Sequence, residues 1–193
     1  MTERFIPPHG GYQKLLSYQK AEIVYDATVH FCERLLDKRD RTRDQMVQAA
    51  RSGKQNIIEG SRASGTSKET ELKLTNVARA SLEELLADYR DFLRIRGIEE
   101  WPKNHPHVER LRVLNRRPSA NYETFRKGVE HPDPAIAANV IIGLIHVANY
   151  LLDQQIRQLE KAFVKEGGLR ERMTRARLKE RSKHPEKNEE RPK

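Results

Sequence analysis

Apolar residues recur at steps of three and four over most of the chain, which is the spacing of one buried helix face. Four stretches carry this pattern: 15–36, about 42–61, the segment between Thr66 and Gly97, and the segment between Asp133 and Gly167. Short polar links separate the first three, and one longer connection precedes the fourth. The pattern therefore predicts an all-α protein, an antiparallel up-down four-helix bundle.

Two of these helices have clear boundary signals. Thr66-Ser67-Lys68-Glu69 has the form of a capping box with Thr66 as N-cap, and Gly97 is suited to end the same helix. Asp133-Pro134 places an N-cap before a proline at the first helical position, and Gly167 stops that helix. The first half of this fourth helix is apolar around much of its girth, so we expect it to be the most buried helix.

The second helix presents a face of mostly small residues. At about 100° per residue they fall within an arc of about 100°, and they are Met46, Ala49, Ala50, Gly53, Ile57 and Gly60. Small side chains let a neighbouring helix approach closely. This small-residue face predicts tight helix packing, either inside the bundle or between copies of the chain that oligomerise through it.

Three segments lie outside the four helices. Residues 1–14 are predicted to be an extended N-terminal arm, because Pro7-Pro8 and Gly10-Gly11 break regular structure. The bundle domain, 15–168, contains a proline-rich insertion at 98–133 with short helices expected at about 107–115 and 121–129. Residues 169–193 hold ten Lys or Arg against five Asp or Glu. They predict a disordered basic C-terminal tail, or frayed helix near its start.

Composition narrows the possible functions. Hydrophobic residues make up 36% of the 193 residues and charged residues 34%, a mixture typical of amphipathic helices. Lys and Arg outnumber Asp and Glu by 37 to 28, and the net charge of +9 indicates an acidic partner such as nucleic acid. The chain has neither a run of 18 apolar residues nor a signal-peptide pattern at its start. We expect a cytoplasmic protein without membrane contact.

The residues that usually carry catalysis or bind metals form no convincing site. The one cysteine, Cys32, falls on the apolar face of the first helix, where a thiol contributes to packing. Neither the Glu-x-x-His pairs of a di-iron bundle nor a Gly-x-Ser-x-Gly or phosphate-loop motif occurs. His105, His107 and Glu109 are spaced closely enough for a metal but lie in the proline-rich insertion. We expect a protein that is not an enzyme and has no cofactor or metal.

The second helix also carries a basic stripe beside its small-residue face. Four cations project within about 100° of one another and define it: Arg43, Arg51, Lys54 and Arg62. The stretch 38–62 has seven basic residues and three acidic ones. Cations two or more helical turns apart suit the phosphates of a nucleic-acid backbone, without any reading of its bases. The other interpretation is a solvated face whose cations pair with acidic neighbours.

The basic tail offers further candidates for phosphate contacts, namely Arg170, Arg172, Arg175 and Arg177. A tail of this kind adds non-specific electrostatic attraction, or it only improves solubility. Together the basic stripe and the tail predict a bundle that binds RNA or DNA through backbone contacts.

Several short motifs occur in order along the first three helices. Tyr18-Gln19-Lys20-Ala21 is followed by Gln45, by Asn56-Ile57-Ile58-Glu59-Gly60, by Ser67-Lys68-Glu69 and by Ser81-Leu82-Glu83-Glu84-Leu85. Over about 15–96 their order and spacing resemble the four-helix-bundle proteins encoded in intervening sequences of 23S rRNA genes. The accessory protein of diversity-generating retroelements has the same fold. Where this chain has Tyr18, the family usually has tryptophan.

The resemblance implies a homopentamer of helical bundles with a basic, nucleic-acid-binding surface and, in the retroelement system, a reverse transcriptase partner. Asn56 and Glu59 correspond to the family's shared polar pair. We expect them at a helix–helix or subunit contact, because a buried carboxylate needs a partner. The insertion at 98–133 and the basic tail depart from the family's compact pattern, so the chain resembles a longer variant member.

A helical scaffold whose partner is another protein is the alternative function. The insertion, which contains Trp101, and the apolar fourth helix would supply the partner surface, and the basic charge would serve solubility. This alternative predicts little salt-dependent affinity for nucleic acid.

Overall fold

The computed structural model describes residues 9–117 and 120–183, and all regular secondary structure in these ranges is helical. A 3₁₀ turn at Tyr12–Lys14 precedes the α-helices, which are α1 (Leu16–Leu35), α2 (Arg41–Ala63), α3 (Lys68–Ile95), α4 (Pro106–Asn115), α5 (Tyr122–Val129), α6 (Pro134–Glu166) and α7 (Leu169–Lys183). The all-α class is confirmed. The four long helices predicted from the apolar pattern correspond to α1, α2, α3 and α6.

The long helices enclose a common core. α1 contacts α2 and α6, and α3 contacts the same two helices. Aromatic side chains meet inside this set, where the Phe31 ring lies 5.0 Å from Tyr89 and 4.8 Å from Phe92, both edge to face. The hydroxyl of Tyr89 finds a partner in Thr28 Oγ1 at 3.2 Å. Aromatic packing thus joins α1 to α3 across the core.

Burial along α6 is uneven. Residues 137–142 are all buried, as the apolar sequence of this half predicts, but Val164 in the second half is 85% exposed. The helix as a whole is therefore not more buried than α1. Helices α4 and α5 of the insertion pack on α6, but they do not cover its last turns. The second half of α6 is therefore less buried than the first. Within the described residues, one stretch, 134–182, is long and apolar enough to cross a membrane by length and composition only, and 61% of its apolar window is buried inside the protein.

The small-residue face of α2 packs inside the chain. A side chain at Gly53 would place its Cβ 2.6 Å from Leu82 Cδ2, and one at Gly60 would lie 3.3 Å from the carbonyl oxygen of Glu71. Both contacts are with α3, which this face allows to approach closely. The expectation that copies oligomerise through this face is therefore wrong, because α3 already covers it.

The two flanking segments also differ from expectation. Gly10 turns the chain with φ of 84° and donates its N–H to the Ser61 carbonyl at 3.2 Å, so the described part of the N-terminal arm folds onto α2 and is not extended. Its residues 1–8 lie outside the described ranges. The basic tail is helical over Leu169–Lys183, so there the alternative of helix near its start holds and disorder does not, because arginine, lysine, leucine and methionine are strong helix formers. The remainder of the tail, 184–193, lies outside the described residues.

The insertion forms both expected helices, α4 and α5, and is fastened to the long helices. Asn139 of α6 accepts the N–H of Trp101 at 2.7 Å and donates to the carbonyl of Glu99 at 3.1 Å. At the other end, Arg34 of α1 donates to the carbonyls of Glu130 and His131 at 2.8 and 2.6 Å. Hydrogen bonds to α1 and α6 therefore hold the two ends of the insertion.

The N-terminus of α3 begins one residue later than the sequence predicts. Ser67, not Thr66, is the N-cap, and its Oγ accepts the N–H of Thr70 at 3.1 Å, whereas the Thr66 hydroxyl donates back to the Ala63 carbonyl. We expect Ser67→Ala to lower the free energy of unfolding by about 1 kcal/mol, since one helix-end N–H loses its acceptor. Thr66→Ala, the matched control, should stay within about 0.5 kcal/mol of the wild type in chemical denaturation. The reverse order of the two effects would contradict this assignment of the cap.

Candidate nucleic-acid interface

The basic stripe lies on one continuous helix, α2. Arg43 and Arg62 are about 28 Å apart along its axis at 1.5 Å per residue. Arg51 and Arg62 are exposed, while Arg43 and Lys54 are half-buried. The stripe therefore presents four cations on a rigid support, and the span between the outermost pair is comparable to several phosphate spacings of a nucleic-acid strand.

The stripe cations have no ion-pair partners within the described ranges. Among the residues that the structure describes, no carboxylate oxygen lies within 4.0 Å of any of the four. Two of them contact aromatic rings, since the Lys54 ammonium lies 4.0 Å from the centre of the Tyr25 ring and the Arg62 guanidinium 5.8 Å from that of Tyr12. The interpretation of this face as one of cations paired with acidic neighbours is contradicted for these residues.

One carboxyl group, that of Asp26 on α1, senses the charge of Lys54 through space. Burial raises the pKa of Asp26, and the positive charge of Lys54 partly offsets this increase. Asp26 is therefore an acidic group whose charge opposes the attraction of an anion to Lys54 in the middle of the stripe. The Lys54 ammonium itself packs on the Tyr25 ring.

The four arginines of the tail all lie on α7. Arg170, Arg175 and Arg177 are exposed, and Arg172 is half-buried with its Nε shielded from solvent and without a hydrogen-bond partner in the described part of the chain. Glu171 accepts the N–H of Gly168 at 3.0 Å, which fixes the start of this helix. α7 does not pack extensively against α2 over the described residues. The structure thus keeps the two predicted groups of cations on separate helices.

Residues of the family-like motifs have mainly structural contacts. Tyr18 is buried and donates its hydroxyl to Glu22 Oε1 at 2.6 Å. Gly60 gives α3 room to approach, and Ser81 of α3 donates to Ser52 Oγ of α2 at 3.1 Å. These positions stabilise the contact between helices and do not form a reactive site.

The remaining motif residues differ from expectation in one respect. Asn56 bonds within its own helix, to the carbonyl of Ser52 at 2.9 Å. Glu59 is exposed, as are Gln45 and Glu84. Glu59 lies on the outer side of α2. The prediction that its carboxylate is buried at a helix–helix contact and needs a partner is therefore wrong for the single chain. Its role at a subunit contact stays a prediction.

Candidate groups for catalysis or metal binding do not come together in the described residues. Cys32 is completely buried, and burial raises the pKa of its thiol to about 12, so it stays protonated and unreactive at neutral pH. In the insertion, Trp101 stacks on His105 with ring centres 4.7 Å apart, and His107 lies 4.9 Å from the same tryptophan. No group of three or more His, Cys, Asp or Glu side chains in the described ranges is arranged to hold a metal ion.

Sequence reasoning missed a second set of functional candidates, around Lys20 on α1. Lys20 is only 5% exposed, although lysine is rarely buried without a partner. Its side chain lines a cavity that the insertion and α6 enclose. The sequence did contain a signal of its burial, since Lys20 lies among the apolar positions Tyr18, Ala21 and Val24. Only the placement of the insertion shows which residues surround Lys20.

Fold and surface together define an all-α protein with a basic stripe on one helix whose cations lack carboxylate partners among the described residues. Comparisons of the chain with protein-family models, with curated proteins and with solved structures find no match.

Proposed function

We propose that this protein is a non-enzymatic helical bundle that binds the phosphate backbone of RNA or DNA through the basic stripe of α2. The observation that supports the proposal best is the absence of carboxylate partners for the stripe cations in the described residues. A cation that is paired with a carboxylate must give up this partner before it binds a phosphate, whereas a cation without one loses no ion pair when it exchanges its counterions for the phosphate. The net charge of +9 adds long-range attraction for the same ligand.

The fold that we propose for this function is the antiparallel up-down four-helix bundle, formed by α1, α2, α3 and α6. The contacts of α1 and α3 with the same two helices, together with the short links between α1, α2 and α3, support it. Membership of the family of 23S rRNA intervening-sequence proteins is part of the proposal, as are a homopentamer and an accessory role beside a reverse transcriptase or another protein. Subunits would have to meet through surfaces other than the small-residue face of α2.

A double charge reversal in the middle of the stripe tests the proposal. We expect Arg51→Glu with Lys54→Glu to weaken binding of the full chain to a structured RNA and to a duplex DNA by about tenfold or more, because two phosphate contacts become repulsive. Removing one phosphate contact reduces the slope of log K against log salt by about 0.9 on duplex DNA, so the double variant should show a slope smaller by about two units. Fluorescence anisotropy at several salt concentrations measures both quantities.

A matched control separates the stripe from net charge. Arg157→Glu with Lys161→Glu removes the same two residue types from exposed positions of α6 and changes the net charge equally. This variant should keep most of the affinity and of the salt slope. Circular dichroism verifies that helicity is unchanged, since Lys54 also packs on Tyr25. Equal loss in both double variants would show that overall charge, not the stripe, drives binding.

The contribution of α7 is tested by replacing its four arginines with glutamine in the full chain. We expect this variant to lose less affinity for nucleic acid than the stripe variant does. The reason is that α7 lacks extensive contacts with the long helices over the described residues, so it adds attraction without a fixed geometry. Failure of the wild-type protein to bind either nucleic acid at low salt would favour the alternative, a helical scaffold for another protein.

A further inference from the structure

A cavity of about 660 Å³ lies between α6, α4 and the first turns of α1. Part of its wall is aliphatic and comes from these three helices, namely Leu16, Val108, Leu111, Ile142, Val147 and Leu151. Gly143 keeps this wall recessed, since a Cβ at that position would lie 3.0 Å from Leu111 Cδ1. Its volume falls in the range of about 300–1,000 Å³ that small-molecule sites occupy.

The charged groups around this cavity are nearly all cations. Glu100 is the acidic residue among the described lining residues, and Arg90 already holds it with two hydrogen bonds of 2.9 and 3.1 Å. Other basic residues line the cavity without any ion pair in the described part of the chain, and they are Lys20, Lys103, Arg112, Arg116 and Arg117. An anion entering the cavity therefore meets a strongly positive surface.

Lys20 is the most unusual of these groups. It is 5% exposed, has no carboxylate within 4.0 Å among described residues, and its ammonium lies 5.4 Å from the centre of the Phe125 ring. Burial lowers the pKa of Lys20, because it disfavours the charged form. A buried ammonium without a counterion is costly, and an anionic ligand in the adjoining cavity would relieve this cost.

We propose that the cavity binds an amphipathic organic anion, with a carboxylate that pairs with Lys20 and an apolar chain that packs along the aliphatic wall of α6 and α4. Two features select this class of ligand. The wall offers an apolar chain a concave surface, and the one buried charge is a cation that lacks a partner in the described part of the chain. The site is separate from the basic stripe of α2, so it does not depend on the nucleic-acid proposal.

The test uses the full chain and dodecanoate below its micelle-forming concentration. Trp101 lines the cavity and is the one tryptophan of the sequence, so its fluorescence reports on occupancy directly. We expect saturable binding of one dodecanoate per chain, and at least tenfold weaker binding of dodecanol, which has the same chain without the charge. Dodecyltrimethylammonium should not bind at this site. Equal binding of all three would overturn the proposal, because it would indicate adsorption to apolar surface only.

Two variants locate the ligand. Lys20→Met keeps an unbranched side chain one atom shorter and removes its charge, and it should weaken dodecanoate binding at least tenfold while leaving dodecanol unaffected. Lys161→Met, an equal loss of charge at an exposed position ten residues beyond Leu151, should bind as the wild type does. Val147→Phe, which fills the aliphatic wall, should weaken dodecanoate and dodecanol alike. Undiminished dodecanoate binding by folded Lys20→Met would overturn the proposal. Displacement of dodecanoate by an acidic peptide that binds more tightly would also overturn it, because the cavity would then be assigned to a protein partner.

Discussion

Replacing Gly53 with valine is expected to lower the free energy of unfolding by about 2–3 kcal/mol. The first side-chain atom at this position would lie 2.6 Å from Leu82 Cδ2 and 2.9 Å from Leu82 Cγ, both closer than carbon atoms can approach. Leu82 is completely buried and cannot move into solvent, so either its side chain shifts against the packed core or α2 and α3 move apart, and both are costly. Valine is a slightly better helix former than glycine, and this gain of a few tenths of a kcal/mol is too small to compensate.

Chemical denaturation measures this effect, and two further variants identify its cause. Gln48→Val introduces the same side chain at an exposed position of α2 and should cost about 0.5 kcal/mol or less. Leu82→Ala alone leaves a cavity and should cost about 2–5 kcal/mol, but combined with Gly53→Val it should cost clearly less than the sum, because the valine occupies the vacated space. Strict additivity of the two costs would show that the helices do not meet at Gly53.

Replacing Asn139 with leucine is expected to destabilise the protein by about 2–4 kcal/mol. The substitution keeps the volume but leaves the Trp101 N–H and the Glu99 carbonyl without the partners that Asn139 provides. Trp101 is half-buried and also packs against His105, so its fluorescence should shift toward the value in water as this segment detaches. Denaturation followed by tryptophan fluorescence and by circular dichroism measures both consequences in one sample.

The same substitution elsewhere on α6 provides the control. Asn149 is as deeply buried as Asn139, but its Oδ1 has no hydrogen-bond partner in the described residues, and its amide donates only to the exposed Glu83. Asn149→Leu should therefore be close to neutral, because it removes an orphaned polar atom together with a single bond. Similar costs for the two variants would contradict the special role of Asn139.

The positions of the helices in this protein could be predicted from local sequence. The neighbours against which each helix packs could not. The Asp133-Pro134 start of α6 formed as predicted, with the Asp133 carboxylate accepting the N–H of Ala135 at 2.8 Å, because such caps depend on neighbouring residues only. The cap of α3 was misplaced by one residue, since Thr66 and Ser67 are both good caps and the path of the preceding turn decides between them.

Long-range contacts account for the other differences. The small-residue face of α2 could have packed against a second chain or against α3. Helical periodicity shows that the face exists but not which of the two packs on it. Lys20 appeared in the sequence only as part of a motif, because its burial depends on Phe125, more than one hundred residues later. The composition of 169–193 indicated disorder or frayed helix near its start, and residues with high helix propensity form a helix over Leu169–Lys183. The basic stripe as a phosphate-binding surface stays a prediction, and its lack of carboxylate partners among the described residues became visible only with the neighbouring helices in position.

The two anchors of the insertion have a consequence for how the whole chain unfolds. Asn139 holds the beginning of the insertion to α6, and Arg34 holds its end to α1. Gly128 of α5 packs closely on α6, since a Cβ at this position would lie 3.0 Å from Val140 Cγ2. A segment fixed in this way to two different core helices cannot melt while those helices stay in register. Insertion and long helices should therefore unfold as one cooperative unit, with amides of α5 protected from hydrogen exchange as strongly as those of α1.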